Sequence, residues 1–101
     1  MDLRELRYFE SAYELESISA AAKHCFVSQP SISAAIQNLE HFLGESLFVR
    51  HTRGVTPTEA GHRLYPLAQQ LTGQARSIKQ IFQQKAAIQP FRLGVVQALG
   101  A

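Results

Sequence analysis

Apolar side chains recur at helical spacing from the start of the chain. In the first stretch they lie three or four residues apart: Leu3, Leu6, Phe9, Ala12 and Tyr13. Charged residues fill the positions between them, and this pattern predicts a first amphipathic helix over residues 2–15. Ser17 or Ser19 is then placed to cap a short, alanine-rich second helix that ends at Lys23 or Cys25, because serine hydroxyls accept from unpaired backbone amides.

A third helix is predicted from the capping residue Ser28 to Leu43. Pro30 falls in its first turn, where proline loses no intrahelical hydrogen bond, and Gly44 follows where a left-handed C-terminal cap is common. Four apolar residues fall in one narrow stripe at helical spacing, which we assign to the core: Ile32, Ile36, Leu39 and Leu43.

A small β-hairpin is expected after the third helix. Leu47–Val49 and Val55–Thr56 favour strands, and the residues between them supply a turn that contains Gly54. We therefore expect Arg50 and Arg53 on the turn, supported by His51 and Thr52.

A long fourth helix should follow, capped by Thr58, with Glu59 in its first turn, and run to about Ala87. Pro66 lies inside it and predicts either a kink or a later start. Apolar residues alternate spacings of four and three, as in a coiled-coil seam: Leu64, Ala68, Leu71, Ala75, Ile78 and Phe82. This seam packs either on its own domain or on a second copy, and we favour a homodimer.

The elements divide the chain into three parts. Residues 1–58 hold the three helices and the hairpin, and residues 59–88 form the linker and dimerisation helix. Residues 89–101 contain Pro90 and an apolar stretch that resembles an opening strand, so we expect them to start a further, truncated domain. The fold class is therefore mainly α.

Composition narrows the classes of protein that need to be considered. With 46% hydrophobic and 18% charged residues, the chain is able to bury a core, and its one cysteine allows no internal disulfide. No secretory leader and no apolar run of membrane length are visible, so we expect a cytoplasmic protein without a membrane partner. Residues 1–49 carry a net charge of −4 and residues 50–101 carry +6, which favours a polyanion-binding surface in the second half.

Three helices followed by a hairpin form a winged helix-turn-helix, with the helix-turn-helix at about residues 18–37. This architecture places its third helix in the DNA major groove. The predicted DNA contacts are the residues opposite the core stripe, the first turn of the third helix and the wing arginines: Ser28, Gln29, Pro30, Ser31, Ser33, Ala34, Gln37, Arg50 and Arg53. Gln37 is suited to pair with adenine, and the two arginines are suited to bind phosphates.

The same stretches resemble the LysR-type transcriptional regulators. The similarity covers residues 1–61 and is carried by Ser28-Gln29-Pro30 with Ser33, Ile36 and Leu39-Glu40, by Leu47-Phe48-Val49-Arg50, and by Thr58-Glu59-Ala60-Gly61. The resemblance implies a bacterial, nucleoid-associated regulator that binds a pseudo-palindromic operator as a dimer. It also implies a small-molecule inducer bound in an effector domain beyond this chain, and a tetramer for the full-length protein.

The sequence also offers candidates for a metal site, for catalysis and for protein binding. His24 beside Cys25 suggests a metal site or a nucleophile, but structural zinc takes four ligands, so we interpret Cys25 as a core thiol. We expect no metal and no cofactor in this chain. No histidine has partners at a spacing that indicates a catalytic triad, so we expect no enzyme. The remaining alternative is a helical protein interaction module that does not bind DNA.

Overall fold

The computed structural model describes residues 1–88, and the side chains among them up to residue 84. Six elements follow in chain order: α1 (Leu3–Leu15), α2 (Ile18–Cys25), α3 (Gln29–Leu43), β1 (Phe48–His51), β2 (Gly54–Pro57) and α4 (Glu59–Ile88). The predicted mainly α fold with a two-stranded hairpin is confirmed. The predicted linker and strand over 89–101 lie outside the described residues.

The helix ends are set by the local signals that the sequence carries. Asp2 and Glu5 form a capping box at the start of α1, and the hydroxyl of Ser17 accepts from the amide of Ala20 at 3.0 Å to cap α2. Ser28 caps α3 and Gly44 ends it with φ at 75°. Each boundary is within one or two residues of its predicted place.

The core joins the inner faces of α1, α2 and α3 to the base of the hairpin. Its largest fully buried side chains are Phe9, Leu6, Ile32, Ile36, Leu39 and Leu47, with Thr72 of α4. The assignment of Leu43 to this core was wrong, because its side chain is 41% exposed in the last turn of α3. Ala35 is buried instead, so the buried face of α3 ends at Leu39.

The hairpin is longer and its turn shorter than predicted. Arg50 pairs with Val55 and His51 with Gly54, so the loop between the strands contains only Thr52 and Arg53. The expectation that Arg50 lies on the turn was therefore wrong, and only Arg53 does. Gly54 adopts φ 141°, a conformation that favours glycine. Strand pairing therefore continues up to a loop of two residues.

Helix α4 is one element from Glu59 to Ile88 and includes Pro66. Of the two alternatives predicted at this proline, a kink or a later start, the later start is excluded. Thr58 caps it, since its hydroxyl accepts from the amide of Gly61 at 3.1 Å. Gly61 is needed there, because a Cβ would lie 2.4 Å from the carbonyl oxygen of Leu47. Within residues 1–88, no helix is both long enough and apolar enough to cross a membrane.

The beginning of α4 belongs to the core of the winged domain. Ala68 is fully buried, Thr72 is 1% exposed, and Leu64 packs against the core cluster. This packing corrects the predicted coiled-coil seam. Leu64 and Ala68 pack within their own chain and not against a second copy. Of the remaining seam positions, Leu71 lies beside Thr72 but is 43% exposed, and Ala75, Ile78 and Phe82 follow Thr72 along the helix.

Candidate nucleic-acid interface

The predicted contact residues of α3 lie together on one surface. Ile32, Ala35, Ile36 and Leu39 turn inward, which leaves the opposite face of the helix in solvent. Ser33 is partly buried, and the other predicted residues are exposed: Gln29, Pro30, Ser31, Ala34 and Gln37. This face offers two glutamine amides and short side chains, and none of these residues carries a charge.

The two serines at the start of α3 also hold the helix together. The Ser28 hydroxyl accepts from the amide of Ser31 at 3.3 Å, and the two hydroxyl oxygens are 3.0 Å apart. Both side chains are exposed. Because a hydroxyl has one donor and two acceptor sites, the pair caps the helix and keeps hydrogen-bonding capacity for a ligand.

The wing presents its cations to solvent on a fixed frame. Arg50 and Arg53 are exposed. The imidazole of His51 bridges the hairpin, with Nε2 2.9 Å from the Thr56 hydroxyl and Nδ1 accepting from the amide of Arg53 at 3.3 Å. Since Nδ1 accepts, a neutral imidazole carries its proton on Nε2 and donates it to Thr56. The histidine therefore braces the loop that carries Arg53.

The wing is attached to the turn between α1 and α2. The amide of Val55 donates to the carbonyl of Glu16 at 3.1 Å. A Cβ at Gly54 would lie 2.2 Å from that carbonyl oxygen, so only glycine permits the approach. This contact sets the position of the wing relative to the helix-turn-helix.

Sequence reasoning missed that the N-terminus of α2 lies beside the wing. Ser17, Ile18 and Ser19 line a groove of about 370 Å³ together with the wing residues from Arg50 to Val55. The capping Ser17 was the available signal. Its proximity to the wing depends on packing between residues more than 30 positions apart, which periodicity does not reveal.

Helix α4 carries an exposed apolar stripe, which we define as Leu67, Leu71, Ile78 and Ile81. Their side chains are between 43% and 61% exposed. The spacings of four, seven and three keep them on one side of the helix. Of the remaining predicted seam residues, Phe82 is 70% exposed beside this stripe and Ala75 is partly buried.

The cysteine does not belong to a ligand cluster. The Cys25 thiol is partly buried, with its sulfur 3.2 Å from the Ser11 hydroxyl oxygen. Within residues 1–88, no three His, Cys, Asp or Glu side chains are grouped so as to hold a metal ion. The partly buried thiol agrees with the predicted packing role.

Three packed helices, an attached wing and an exposed outer face of α3 define a winged helix-turn-helix protein. A family profile described as a bacterial regulatory helix-turn-helix protein of the lysR family matches residues 3–62. The chain belongs to this family. The predicted resemblance is confirmed, and membership of a family of transcriptional regulators supports the expectation of a protein that is not an enzyme.

Relatives and solved structures of the family are similar over most of the described chain. The nitrogen assimilation regulatory protein nac of Klebsiella aerogenes is 39% identical over 73% of this chain and 24% of its own length. The transcriptional regulator BenM of Acinetobacter baylyi is 36% identical over 98% of this chain and 33% of its own length. The chain thus spans a quarter to a third of these curated relatives.

The similar solved structures include complexes with DNA. A crystal structure of a CbnR_DBD–DNA complex has a TM-score of 0.78 and 36% identity, covering 85% of this chain and 99% of that one. A BenM_DBD/catB site 1 DNA complex has a TM-score of 0.78 and 37% identity, covering 85% of this chain and 96% of that one.

Proposed function

We propose that this chain is the DNA-binding and dimerisation part of a LysR-type transcription regulator, and that it reads a pseudo-palindromic operator. The observation that carries the proposal is the combination of an exposed, uncharged polar face on α3 with exposed arginines on an attached wing. Hydrogen-bonding side chains discriminate base edges, whereas cations bind phosphates without regard to sequence. The two surfaces thus supply the two components of specific binding.

In this proposal α3 enters the major groove through its first half. Gln29 and Gln37 offer amides, Ser31 and Ser33 offer hydroxyls, and Pro30 and Ala34 offer apolar contact to thymine methyl groups. Ser28 and the first amides of α3 bind a phosphate, because a helix N-terminus attracts anions. Arg50 and Arg53 bind further phosphates from the wing.

A second copy covers the exposed stripe on α4. Leu67, Leu71, Ile78 and Ile81 are apolar, solvent-exposed and aligned, which is the pattern of a helix that pairs with another. Pairing two copies presents two α3 helices to successive major grooves about one helical turn apart. A symmetric dimer accounts for a pseudo-palindromic operator.

The family and the span of the relatives suggest a longer regulator. We propose that a small-molecule inducer binds an effector domain beyond this chain and changes its contacts with the operator. The full-length protein forms a tetramer and acts in the bacterial cytoplasm at the nucleoid.

The proposed function is tested by selection from a random duplex DNA library, followed by a salt titration on the selected site. We expect an inverted repeat with half-sites about one helical turn apart, and log K falling with log salt at a slope of about −0.9 per phosphate contact. The alternative favoured by the exposed α4 stripe is a protein interaction module. A dimer that selects no sequence and shows no salt dependence would support that alternative.

Substitution of a wing arginine tests the phosphate contacts directly. Arg50→Ala should weaken binding to all DNA sequences alike and make the salt slope shallower by about 0.9, because one phosphate contact is lost. The matched control is Lys79→Ala, which removes an exposed cation from α4 far from the wing and should leave the slope unchanged. An unaltered slope for Arg50→Ala would remove this residue from the contact set.

A further inference from the structure

Helix α4 contacts α1 largely through polar side chains. Thr72, which is 1% exposed, donates from its hydroxyl to Glu10 Oε2 at 2.8 Å. About two turns earlier on α4, Tyr65 donates to the carboxylate of Glu14. A third contact joins Tyr13 and His62, with the phenol oxygen 2.9 Å from Nδ1. We call these three pairs the α1–α4 polar seam.

The seam lies on one face of each helix. On α4 its members are residues 62, 65 and 72, and Gln69 donates to the Tyr65 hydroxyl oxygen at 3.0 Å from the same side. On α1 its members are Glu10, Tyr13 and Glu14. The Tyr13 and Tyr65 rings stack with centroids 3.9 Å apart and planes inclined by 8°.

Apart from the stacked rings of Tyr13 and Tyr65, the apolar part of this contact is small. Its fully buried member is Ala68, which has a single methyl group, with Leu64 partly buried beside it. A methyl group does little to interlock with a groove and so does little to fix a helix in rotation or translation. Hydrogen bonds depend on direction, and polar contacts within a helix interface are known to specify register.

From these contacts we infer that the α1–α4 polar seam, above all the Thr72–Glu10 and Tyr65–Glu14 pairs, sets the operator spacing that the dimer accepts. This inference rests on the proposed function. The apolar stripe lies on the opposite side of α4 from the seam. Because both belong to one helix, the seam determines which way the stripe faces relative to α3. The residues are positioning residues, and we assign them no contact with DNA.

Helix α4 is long enough for a small change in its angle to α1 to alter the distance between the two half-sites measurably. Helix α4 has 30 residues and is about 45 Å long at 1.5 Å per residue. One base pair of spacer moves a half-site by about 3.4 Å and turns it by about 35°. A small change in the angle between α1 and α4 is therefore comparable with a change of one base pair in the spacer.

The test is a double variant, Thr72→Val with Tyr65→Phe, assayed as the full 101-residue chain. The substitutions remove two hydroxyl groups and keep the shape of the side chains and the aromatic stack. Binding is measured to operators whose spacers differ by one or two base pairs in either direction, and to a single half-site. Dimer dissociation is measured by sedimentation, and folding by urea unfolding.

We expect the ratio of affinities between the best spacer and its neighbours to fall by about tenfold, the factor that corresponds to 1.4 kcal/mol. Affinity for a single half-site and the dimer dissociation constant should stay within about twofold of the wild type, because Thr72 is buried in its own chain. Ser77→Ala, which removes an exposed hydroxyl of α4, is the matched control and should keep the preference.

Thr72→Ser keeps the donor and removes only a methyl group, so it should retain the spacer preference even where the double variant is too unstable to assay. Loss of the preference in Thr72→Ser, or its retention in a folded double variant, would overturn the inference. A wild-type chain that dimerises but binds no inverted repeat would overturn the proposed function instead, and the two failures are thus distinguishable.

Discussion

Gln37 places an amide in the middle of the outer face of α3, where its side chain is exposed. Its neighbour Asn38 is already engaged, since its amide donates to Glu5 Oε2 at 2.9 Å. Gln37 therefore has the free hydrogen-bonding capacity that base recognition requires, with one donor and one acceptor for adenine.

Gln37→Ala should relax the preference at one base position of each half-site by ~1–3 kcal/mol and leave the other positions as they are. The measurement is repeated selection from a library randomised at every operator position. Gln83→Ala removes an exposed glutamine of α4 and serves as the control. Identical selected sequences for Gln37→Ala and the wild type would refute the base contact.

Gly54 fixes the wing for a steric reason. Its φ of 141° and its 2.2 Å approach to the carbonyl oxygen of Glu16 both exclude a side chain. Gly54→Ala should displace the hairpin, break the bond from Val55 to Glu16 and lower the free energy of unfolding by ~1–3 kcal/mol.

Gly73→Ala is the matched control for this prediction, because a Cβ there meets nothing within 4 Å. Alanine inside a helix should instead raise the free energy of unfolding by ~0.5–1 kcal/mol. Urea unfolding of both variants measures the contrast. Equal effects in the two variants would show that the wing does not depend on the close approach at Gly54.

The contact between α1 and α4 changes the pKa of Tyr65. The hydrogen bond to Glu14, together with desolvation, raises the pKa of Tyr65 from 10.0 to about 12. Because the pKa in the folded state exceeds that in the unfolded state, its stabilising contribution is complete below pH 10 and is lost as the pH rises from 10 to 12. Tyrosine absorbance should thus show a late-titrating component.

This component should be absent from Tyr65→Phe and should move to lower pH in Glu14→Gln, which removes the carboxylate charge. Glu16→Gln removes an exposed carboxylate that ends α1 and is the control. A late component that persists in Tyr65→Phe would assign the shift to another tyrosine.

The elements themselves could be predicted because their signals are local. Capping residues such as Ser17, Ser28 and Thr58 lie within three residues of the amides that they bind, so helix boundaries follow from short stretches of sequence. The errors arose where tertiary contacts decide. Leu43 continues the apolar periodicity of α3, yet the core ends before it, and Arg50 joins a strand because Gly54 permits a tight loop.

Contacts between elements were not predictable in the same way. Glu10 and Thr72 are 62 positions apart, and Tyr65 and Glu14 are 51 positions apart. A glutamate on an amphipathic helix has the same pattern whether it faces solvent or a buried hydroxyl, so periodicity does not distinguish the two. For the same reason the whole coiled-coil seam predicted on α4 was attributed to a homodimer contact, although Ala68 packs inside its own chain.

The proposed DNA-binding surface and the proposed dimerisation surface are separate in this molecule. The uncharged face of α3 and the wing arginines form one surface, and the stripe from Leu67 to Ile81 forms another on α4. The proposed DNA contacts and the stripe share no side chain. Substitutions on the stripe should therefore change dimerisation without changing the contacts within a half-site.

Ile78→Glu tests this separation because Ile78 is 61% exposed and its replacement leaves the core intact. Pairing two copies would bury a glutamate from each chain, so the dimer dissociation constant should rise at least about tenfold. The control Gln80→Glu adds the same charge two residues along, on the opposite side of α4, and should not change it. Sedimentation equilibrium measures both constants.

The consequence for DNA binding distinguishes a dimer from two independent readers. In Ile78→Glu the affinity for a single half-site should match that of the wild type. The additional affinity that a second half-site provides should largely disappear, because it comes from linking two binding events. If the variant still prefers the inverted repeat as strongly as the wild type, the copies are joined elsewhere and the stripe on α4 serves another partner.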